Sequence, residues 1–401
     1  MLYNFICMKI GIFGGTFDPV HLGHLWLARA VRDELGLDKL FMIPAGDPPH
    51  KPNAERLSGS IRLRMLDLAI KDEQGIFHSD VELKRKGKSY TIDTLQQYKS
   101  QYRGAKLYLI VGGDMLASFD KWRDPAGILR LAMLVAVARP DEQRDMRRIA
   151  DDIEQRFGGT VIVSSFEGPD ISSTVVRKRM YNALPVDKLV PRSVELYMYE
   201  NAVYMPQEII KLRSSLSEVL KKKRLAHTML TAREAVCLAE HYGADTQKAR
   251  LAAVLHDCIK LPNKELIAYA DEHCYDLTDN ERRNPYLIHA RLGAVIAMQE
   301  YGVTDKEVLQ AIENHTLGKV GMSLLDKIIY VADKIEPSRD FEGVDAIREM
   351  AYIDINRAML MVMKHSADYT VASGRSLNPS TKAVMEYITS EINSMEENKN
   401  V

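Results

Sequence analysis

The sequence predicts two unlike domains in tandem, a doubly wound α/β domain with a parallel sheet over residues 1–204 and an all-α domain over residues 207–401. Three observations carry this. The 401 residues exceed one typical domain. In the first half, strand-like apolar runs at residues 9–13, 40–43, 107–111, 133–138 and 161–163 alternate with helical patterns, as in a parallel sheet covered on both faces. From Glu208 onward no strand pattern stands out. Helical periodicity instead runs through about 207–223, 229–242, 246–260, 264–273, 287–301, 305–315, 323–335 and 354–372, with stops at Gly243, Pro262, Gly302 and Pro337. The polar tail from Ser394 reads as frayed.

Composition narrows the function classes. With 46% hydrophobic and 27% charged residues and a formal net charge of −1, the chain is an ordinary globular protein without a polyanion-binding excess, so no nucleic-acid partner is expected. Cys7, Cys237, Cys258 and Cys274 form no C-x-x-C pair and read as reduced thiols. No run approaches the ~18–20 apolar residues of a membrane span, and the stretch before Met8, a second candidate start, is too short for a signal sequence; the expected location is the cytoplasm.

In order along the first half, the chemistry-bearing residues follow the strands. Gly14-Gly15 ends the first run, Pro44-Ala45-Gly46 the second, Gly112-Gly113-Asp114 the third, Arg139-Pro140 the fourth and Ser164-Ser165 the fifth, which is where ligands sit in open α/β sheets. After the first strand, Asp18 reads as a helix N-cap with Pro19 at the first helical position, and Leu25, Ala28, Val31 and Leu35 mark an apolar stripe ending at Gly36. His21 and His24 then share the first turn, where free backbone N–H groups and the helix dipole favour anions. They form either a polyphosphate cradle or a pair of capping histidines in a tight turn. Gly14, Gly15 and Gly23 permit close approach of a ligand to the backbone. Ser172, Ser173 and Thr174 open a later helix with Arg177 one turn on, a second phosphate-binding pattern or a plain cap with a surface arginine. Lys51 stands in a rigid Pro48-Pro49-His50-Lys51-Pro52 turn, either solvated or engaging a substrate anion.

GGTFDPVHLGH (residues 14–24), ISSTVVR (171–177), KSYTIDTL (88–95) and Gly112-Gly113-Asp114 together resemble the bacterial nicotinate mononucleotide adenylyltransferases, the NadD family, over about residues 8–204. The two end motifs alone mark the wider H-x-G-H nucleotidyltransferases, which include pantetheine-phosphate and cytidylyl enzymes; KSYTIDTL narrows the resemblance. It implies a Rossmann-like fold, a place in NAD biosynthesis, and transfer of AMP from ATP to nicotinate mononucleotide with Mg²⁺, giving deamido-NAD and pyrophosphate. Such a transfer depends on positioning and charge neutralisation more than on a covalent nucleophile. By the same resemblance Gly14, Gly15, Thr16, Phe17, His21 and His24 bind ATP, with His24 stabilising the transition state. Ser172, Thr174 and Arg177 hold its β- and γ-phosphates, and Gly112 and Asp114 lie near its adenosine. Lys51, Tyr90, Thr91, Trp122 and Arg139 bind the nicotinate nucleotide, Trp122 by stacking and Arg139 by charge; as a bare residue Trp122 reads equally as a half-buried packing aromatic.

In the second half, His227 opens one helix, His256-Asp257 lie near the end of another, His289 starts a third, and His315 and Asp333 fall on apolar helix faces. One such histidine reads as a satisfied core residue, but four histidines and two aspartates from five helices make a shared metal site more economical than six separate polar burials. Imidazole and carboxylate donors suit zinc, iron or manganese, and six exceed the needs of one tetrahedral ion, so two metals are expected. The order H…HD…H…H…D resembles the HD-domain phosphohydrolases. Residues 255–260 (LHDCIK) and 332–341 (ADKIEPSRDF) narrow this to the YqeK family over roughly 207–390. That resemblance implies symmetrical hydrolysis of diadenosine tetraphosphate to two ADP at a di-iron centre bridged by Asp257. His227, His256, His289, His315 and Asp333 supply the remaining bonds, and Lys260 and Arg339 either touch phosphate or are solvated surface charges. Lys334 departs from the bulkier apolar residue expected there. Another nucleotide or phosphoester as substrate, or a metal-stabilised regulatory module, stays open for this half, as does a homo-oligomeric state.

Overall fold

The computed structural model describes residues 7–47, 56–138, 143–167, 169–259, 261–372, 374 and 377–399. The chain divides into two compact units, Met1–Arg177 with Val186–Glu195, and Lys178–Pro185 with Leu196–Val401.

The first unit is built on a six-stranded parallel sheet of order β3-β2-β1-β4-β5-β6. Its strands are β1 (Lys9–Gly15), β2 (Lys39–Pro44), β3 (Ile76–His78), β4 (Lys106–Gly112), β5 (Ala132–Ala138) and β6 (Val161–Glu167). The helices between them are α1 (Leu22–Leu35), α2 (Gly59–Ile70), α3 (Val81–Lys84), α4 (Thr91–Gln101), α5 (Gly113–Ala117), α6 (Pro125–Leu131) and α7 (Gln143–Phe157), followed by α8 (Ser173–Tyr181) and α9 (Arg192–Glu200). The α/β expectation holds because both faces of the central strands are covered. Ile10, Ile12, Leu107, Leu109, Val111, Leu134 and Ala136 are buried on one face and Phe13, Tyr108, Ile110, Val135 and Val137 on the other, so these strands read as continuous apolar runs. The edge strand β3 escapes that pattern: it has three residues, and Phe77 is 43% exposed. Strand order reverses between β1 and β4, which opens the ligand crevice beside Gly14-Gly15 and Gly112-Gly113. Helix α1 ends as expected at Gly36, whose φ of 58° is the left-handed cap that glycine adopts at little cost.

From residue 207 on the described residues hold no strand. The helices are α10 (Gln207–Val219), α11 (Lys222–Tyr242), α12 (Thr246–Leu255), α13 (Asn263–Glu272), α14 (Asp279–Arg283), α15 (Ile288–Gln299), α16 (Lys306–Asn314), α17 (Leu324–Ile335), α18 (Val344–Ala351), α19 (Ile355–Ala372) and α20 (Pro379–Lys399). Helix α11 runs through the centre, with every residue from His227 to Ala239 buried. Its start corrects the sequence expectation. Leu220 turns extended and breaks the chain there, α11 begins at Lys222, and His227 therefore lies inside the helix rather than opening it. The tail is also helical beyond Ser394. Val384, Ile388 and Ile392, spaced four apart, pack toward α19, and Lys327 holds Glu391 at 2.7 Å, so α20 continues to Lys399. No helix of the described residues is long and apolar enough to cross a membrane, and all four cysteines are free thiols.

Two candidate active sites

At the carboxyl end of β1 the chain turns through Phe17 in left-handed backbone, φ 48°. The Phe17 ring is buried, edge-on to Phe13 at 5.4 Å and to His24 at 5.0 Å, so what Phe17 offers a ligand is its backbone. Gly15 is required beneath it, since a Cβ there would lie 2.9 Å from that ring; a Cβ on Gly14 would meet nothing within 4 Å. Asp18 is not the N-cap. The Asp18–Pro19 peptide is cis, the cap is His21, and α1 starts at Leu22. The reason lies in another element. Arg177 Nη1 donates to the Asp18 carbonyl at 2.7 Å and Ser173 Oγ to the Pro19 carbonyl at 2.9 Å, which keeps residues 18–20 as a loop clasped to the start of α8.

His21 and His24 stack with ring centroids 3.6 Å apart, and the His21 amide donates to His24 Nδ1 at 3.2 Å. That bond makes Nδ1 an acceptor and assigns the ring proton to Nε2. Burial, and then the neighbouring His21, hold the His24 pKa well below the ordinary histidine value of 6.5, so at neutral pH the ring is an uncharged donor through Nε2. Ser172 Oγ accepts from the Val175 amide at 3.3 Å and Arg177 Nη2 donates to Thr174 Oγ1 at 3.3 Å. ISSTVVR thus caps its own helix and holds the histidine loop. Gly112 caps α5, whose first turn carries the exposed Asp114.

On the acceptor side, Lys51 and Arg139 lie outside the described residues. Tyr90 caps α4, Thr91 is its first residue, and the Arg123 guanidinium sits 4.5 Å over the Tyr90 ring. Trp122, next to Arg123, is half-buried against Phe119 at 5.4 Å, so it packs as an aromatic of the core edge. The Ser89 amide donates to the Asp47 carbonyl at 2.9 Å, which ties the KSYT segment to the loop after β2 beside a cavity of about 580 Å³. Sequence reasoning missed Arg62. Its guanidinium, 2% exposed, donates to the carbonyls of Thr16 (2.7 Å), Ala45 (2.8 Å) and Leu57 (3.1 Å), joining the β1 loop to the loops before α2 beside that cavity. A signal existed, for Arg62 precedes Met65, Leu66 and Ala69 on the apolar stripe of α2.

In the second unit the six expected residues converge, all buried: His227 from α11, His256 and Asp257 from the end of α12, His289 from α15, His315 from the end of α16 and Asp333 from α17. His227 Nε2 is 3.0 Å from Asp333 Oδ1, His256 Nε2 is 3.7 Å from a carboxylate oxygen of both Asp257 and Asp333, and His289 Nε2 is 3.5 Å from Asp257 Oδ1. Two donor triads overlap at His256, one with His227 and Asp333, the other with Asp257 and His315. Three of the imidazoles are oriented by backbone: Nδ1 of His256 donates to Ala253 O at 2.7 Å, that of His315 to Ile312 O at 2.7 Å, and that of His289 to Tyr286 O. Their Nε2 atoms therefore carry lone pairs. His256 Nε2 has no hydrogen-bond partner, while His289 and His315 Nε2 face each other at 3.1 Å with Thr316 Oγ1, which has a single proton to give, 3.2 Å from both. Buried, converging lone pairs beside two carboxylates fit divalent cations.

The surroundings add charge. Arg224 Nη1 lies 2.7 Å from Asp257 Oδ2, Lys334 Nζ 2.6 Å from Asp333 Oδ2 and Arg339 Nη2 2.8 Å from Asp333 Oδ1. Burial opposes ionisation of Asp333, but Lys334 and His227 outweigh it and hold the carboxyl well below its usual range. Lys260 lies outside the described residues. Glu336, unforeseen in the sequence, is fully buried and accepts from His227 Nδ1 at 2.9 Å and from the Ser338 amide and hydroxyl at 2.6 Å each.

Comparison with known proteins assigns both halves. Residues 12–179 match the cytidylyltransferase-like family and residues 224–338 the HD domain. A Mycoplasma genitalium protein named as a probable nicotinate-nucleotide adenylyltransferase/Ap4A hydrolase is 29% identical over 89% of this chain and 97% of its own. A probable nicotinate-nucleotide adenylyltransferase of Gloeobacter violaceus is 40% identical over 49% of this chain and 96% of its own. A crystal structure from Clostridium acetobutylicum, described as a predicted HD superfamily hydrolase involved in NAD metabolism, is 41% identical over 45% of this chain and 96% of its own, with a TM-score of 0.44.

Proposed function

Since the chain belongs to the nicotinate-nucleotide adenylyltransferase family in its first half and carries an HD domain in its second, we propose that it is a bifunctional enzyme of the cytoplasm, its labour divided between residues 1–204 and 207–401. The first half transfers AMP from Mg²⁺-bound ATP to nicotinate mononucleotide. A phosphate oxygen of the acceptor attacks the α-phosphorus, a new P–O–P bridge forms, and pyrophosphate leaves with the electron pair of the broken bond. The observation that carries this half is the uncharged His24 with its proton on Nε2, a fixed donor for the charge that builds on the phosphates. Gly14, Gly15 and Thr16 bring backbone to the ATP, Gly112 and Asp114 face the adenosine side, and Ser172, Thr174 and Arg177 serve the β- and γ-phosphates. Tyr90, Thr91 and Trp122, with Lys51 and Arg139, receive the nicotinate nucleotide.

The second half hydrolyses diadenosine tetraphosphate to two ADP. What supports a di-metal centre is the convergence of imidazole Nε2 atoms, that of His256 without a hydrogen-bond partner, on Asp257 and Asp333. Bound metal ions, for which we propose iron, with manganese or zinc as alternatives, supply an acidified water and a clamp on the phosphates. His227, His256, His289, His315, Asp257 and Asp333 would hold them. Arg224, Lys334, Arg339 and Lys260 are the cations that neutralise a polyphosphate beside them. The full chain loaded with iron or manganese, given diadenosine tetraphosphate and analysed by product chromatography, tests the reading: two ADP are expected, and either no hydrolysis or AMP plus ATP overturns it.

A further inference from the structure

Helix α17 carries Asp333 and ends at Ile335; Glu336 then leaves the helix with φ −52° and ψ 155°. A turn over residues 336–339 follows, closed by the Arg339 amide on the Glu336 carbonyl at 2.9 Å. Three side chains of this turn serve the donor cluster. Glu336 accepts from His227 Nδ1, the Ser338 hydroxyl donates to Glu336, and Arg339 Nη2 reaches Asp333 Oδ1. The turn itself is held from α18. Arg348 Nε donates to the Ile335 carbonyl at 2.9 Å, one of the last carbonyls of α17 and without a partner in its own helix. Arg348 Nη2 spends its two protons on the two ends of the turn, the Glu336 carbonyl at 3.0 Å and the Arg339 carbonyl at 2.8 Å. Its Nη1 donates to Asp345 Oδ1 at 2.8 Å, one turn earlier on α18, which steadies the guanidinium plane from its own helix.

The histidines differ in what they owe to this turn. Nδ1 of His256, His289 and His315 each donates to a carbonyl three residues earlier, so those rings are aimed by their own segments. His227 alone of the four is aimed by a carboxylate on the turn. We propose that Arg348 is a positioning residue of the second candidate site: by fixing the turn it aims Glu336 at His227, and so sets the affinity of the triad His227, His256 and Asp333 while donating to none of its members. The proposal rests on the di-metal phosphohydrolase reading above and deepens it by naming what holds one half of that centre in register.

The test measures manganese binding to the full chain by competition against a chelating indicator, after thermal melts have established which variants are folded. Arg348→Met keeps the apolar stem and removes all three carbonyl bonds. One metal equivalent should weaken about tenfold, the lower end of the cost of disturbing the partner behind a ligating histidine, and the other less than about twofold. Arg348→Lys offers one nitrogen that can serve the Glu336 and Arg339 carbonyls together but not Ile335, so it should bring the weakened equivalent back to within about threefold of wild type. In a Glu336→Ala chain, where no carboxylate is left to aim, adding Arg348→Met should cost less than about a further twofold, the non-additivity of two residues that act through one contact. Where the methionine variant does not fold, Arg348→Gln, too short to span the turn, carries the same expectations. Unchanged binding, equal weakening of both equivalents, a lysine variant as weak as the methionine one, or a full tenfold further loss in the Glu336→Ala chain overturns the positioning role and leaves the phosphohydrolase reading intact. A wild-type chain that binds fewer than two equivalents overturns the di-metal reading and this proposal with it.

Discussion

Replacing Glu336 by glutamine should weaken one of the two proposed metal positions and spare the other. Glu336 takes three donors on two oxygens: His227 Nδ1 and the Ser338 hydroxyl on Oε1, and the Ser338 amide on Oε2. A glutamine must set its NH₂ against one of them, and the Oε2 side, which faces a single donor, costs least. His227 then keeps an acceptor but loses its charge. A hydrogen bond to a charged group contributes ~1.5–3 kcal/mol and a neutral one ~0.5–1.5. The difference of about 1–1.5 kcal/mol corresponds to about tenfold in affinity, the lower end of the ~10–100-fold seen when partners behind a ligating histidine are removed. Glu336→Ala, which removes the acceptor altogether, should reach about 100-fold. Because His227 belongs to the triad with His256 and Asp333 and not to the one with Asp257 and His315, only one of two metal equivalents should weaken. Competition of the full chain against a chelating indicator, with metal content by mass spectrometry, reads both equivalents. Unchanged binding in both variants, or equal weakening of both equivalents, would refute the reasoning.

Three further outcomes are expected. His24→Ala should lower deamido-NAD synthesis by ~10²–10³-fold, the usual cost of losing one preorganised donor, with diadenosine tetraphosphate hydrolysis unchanged; loss of both activities would contradict the assignment. His24 also makes stability depend on pH: its folded pKa lies well below the ordinary 6.5, so below that value the unfolded chain binds a proton that the folded chain does not. Stability therefore falls as pH drops through 6.5 toward the folded value. Urea midpoints taken on either side of that window should fall more in the wild type than in His24→Gln, and an equal fall would count against the burial of a neutral ring. Arg62→Met removes three hydrogen bonds to part-buried carbonyls at ~0.5–1.5 kcal/mol each, so calorimetry should show the adenylyltransferase half destabilised by at least ~1.5 kcal/mol; a change within the noise would mean that water takes over those bonds.

Much of the fold was legible because burial leaves a pattern. The central strands are apolar on both faces, and the stripe of α1 ends at a glycine. The misreadings have local causes. Strand β3 is too short to show a period, and Asp18-Pro19 looks like a helix start until Ser173 and Arg177, more than 150 residues away, take the carbonyls that would have begun the helix. In the metal-type cluster the donors were legible because a histidine or aspartate on an apolar helix face is conspicuous. What orients them was not. Three of the four histidines lean on the carbonyl three residues earlier, at Ala253, Tyr286 and Ile312, and a main-chain carbonyl has no letter in the sequence. Glu336 has one, but in Asp333-Lys334-Ile335-Glu336 it reads as a solvated charge at a helix end.

The three bonds of Arg62 all end on main-chain oxygens, at Thr16, Ala45 and Leu57. Such a clasp fixes the spacing of three loops while remaining indifferent to the letters they carry. Side-chain changes in those loops leave the clasp itself untouched, whereas an insertion or deletion between the clasped positions would pull a carbonyl off the guanidinium. Loop length is thus the constraint the clasp imposes, and close packing at Gly15 and Gly46 the constraint on sequence.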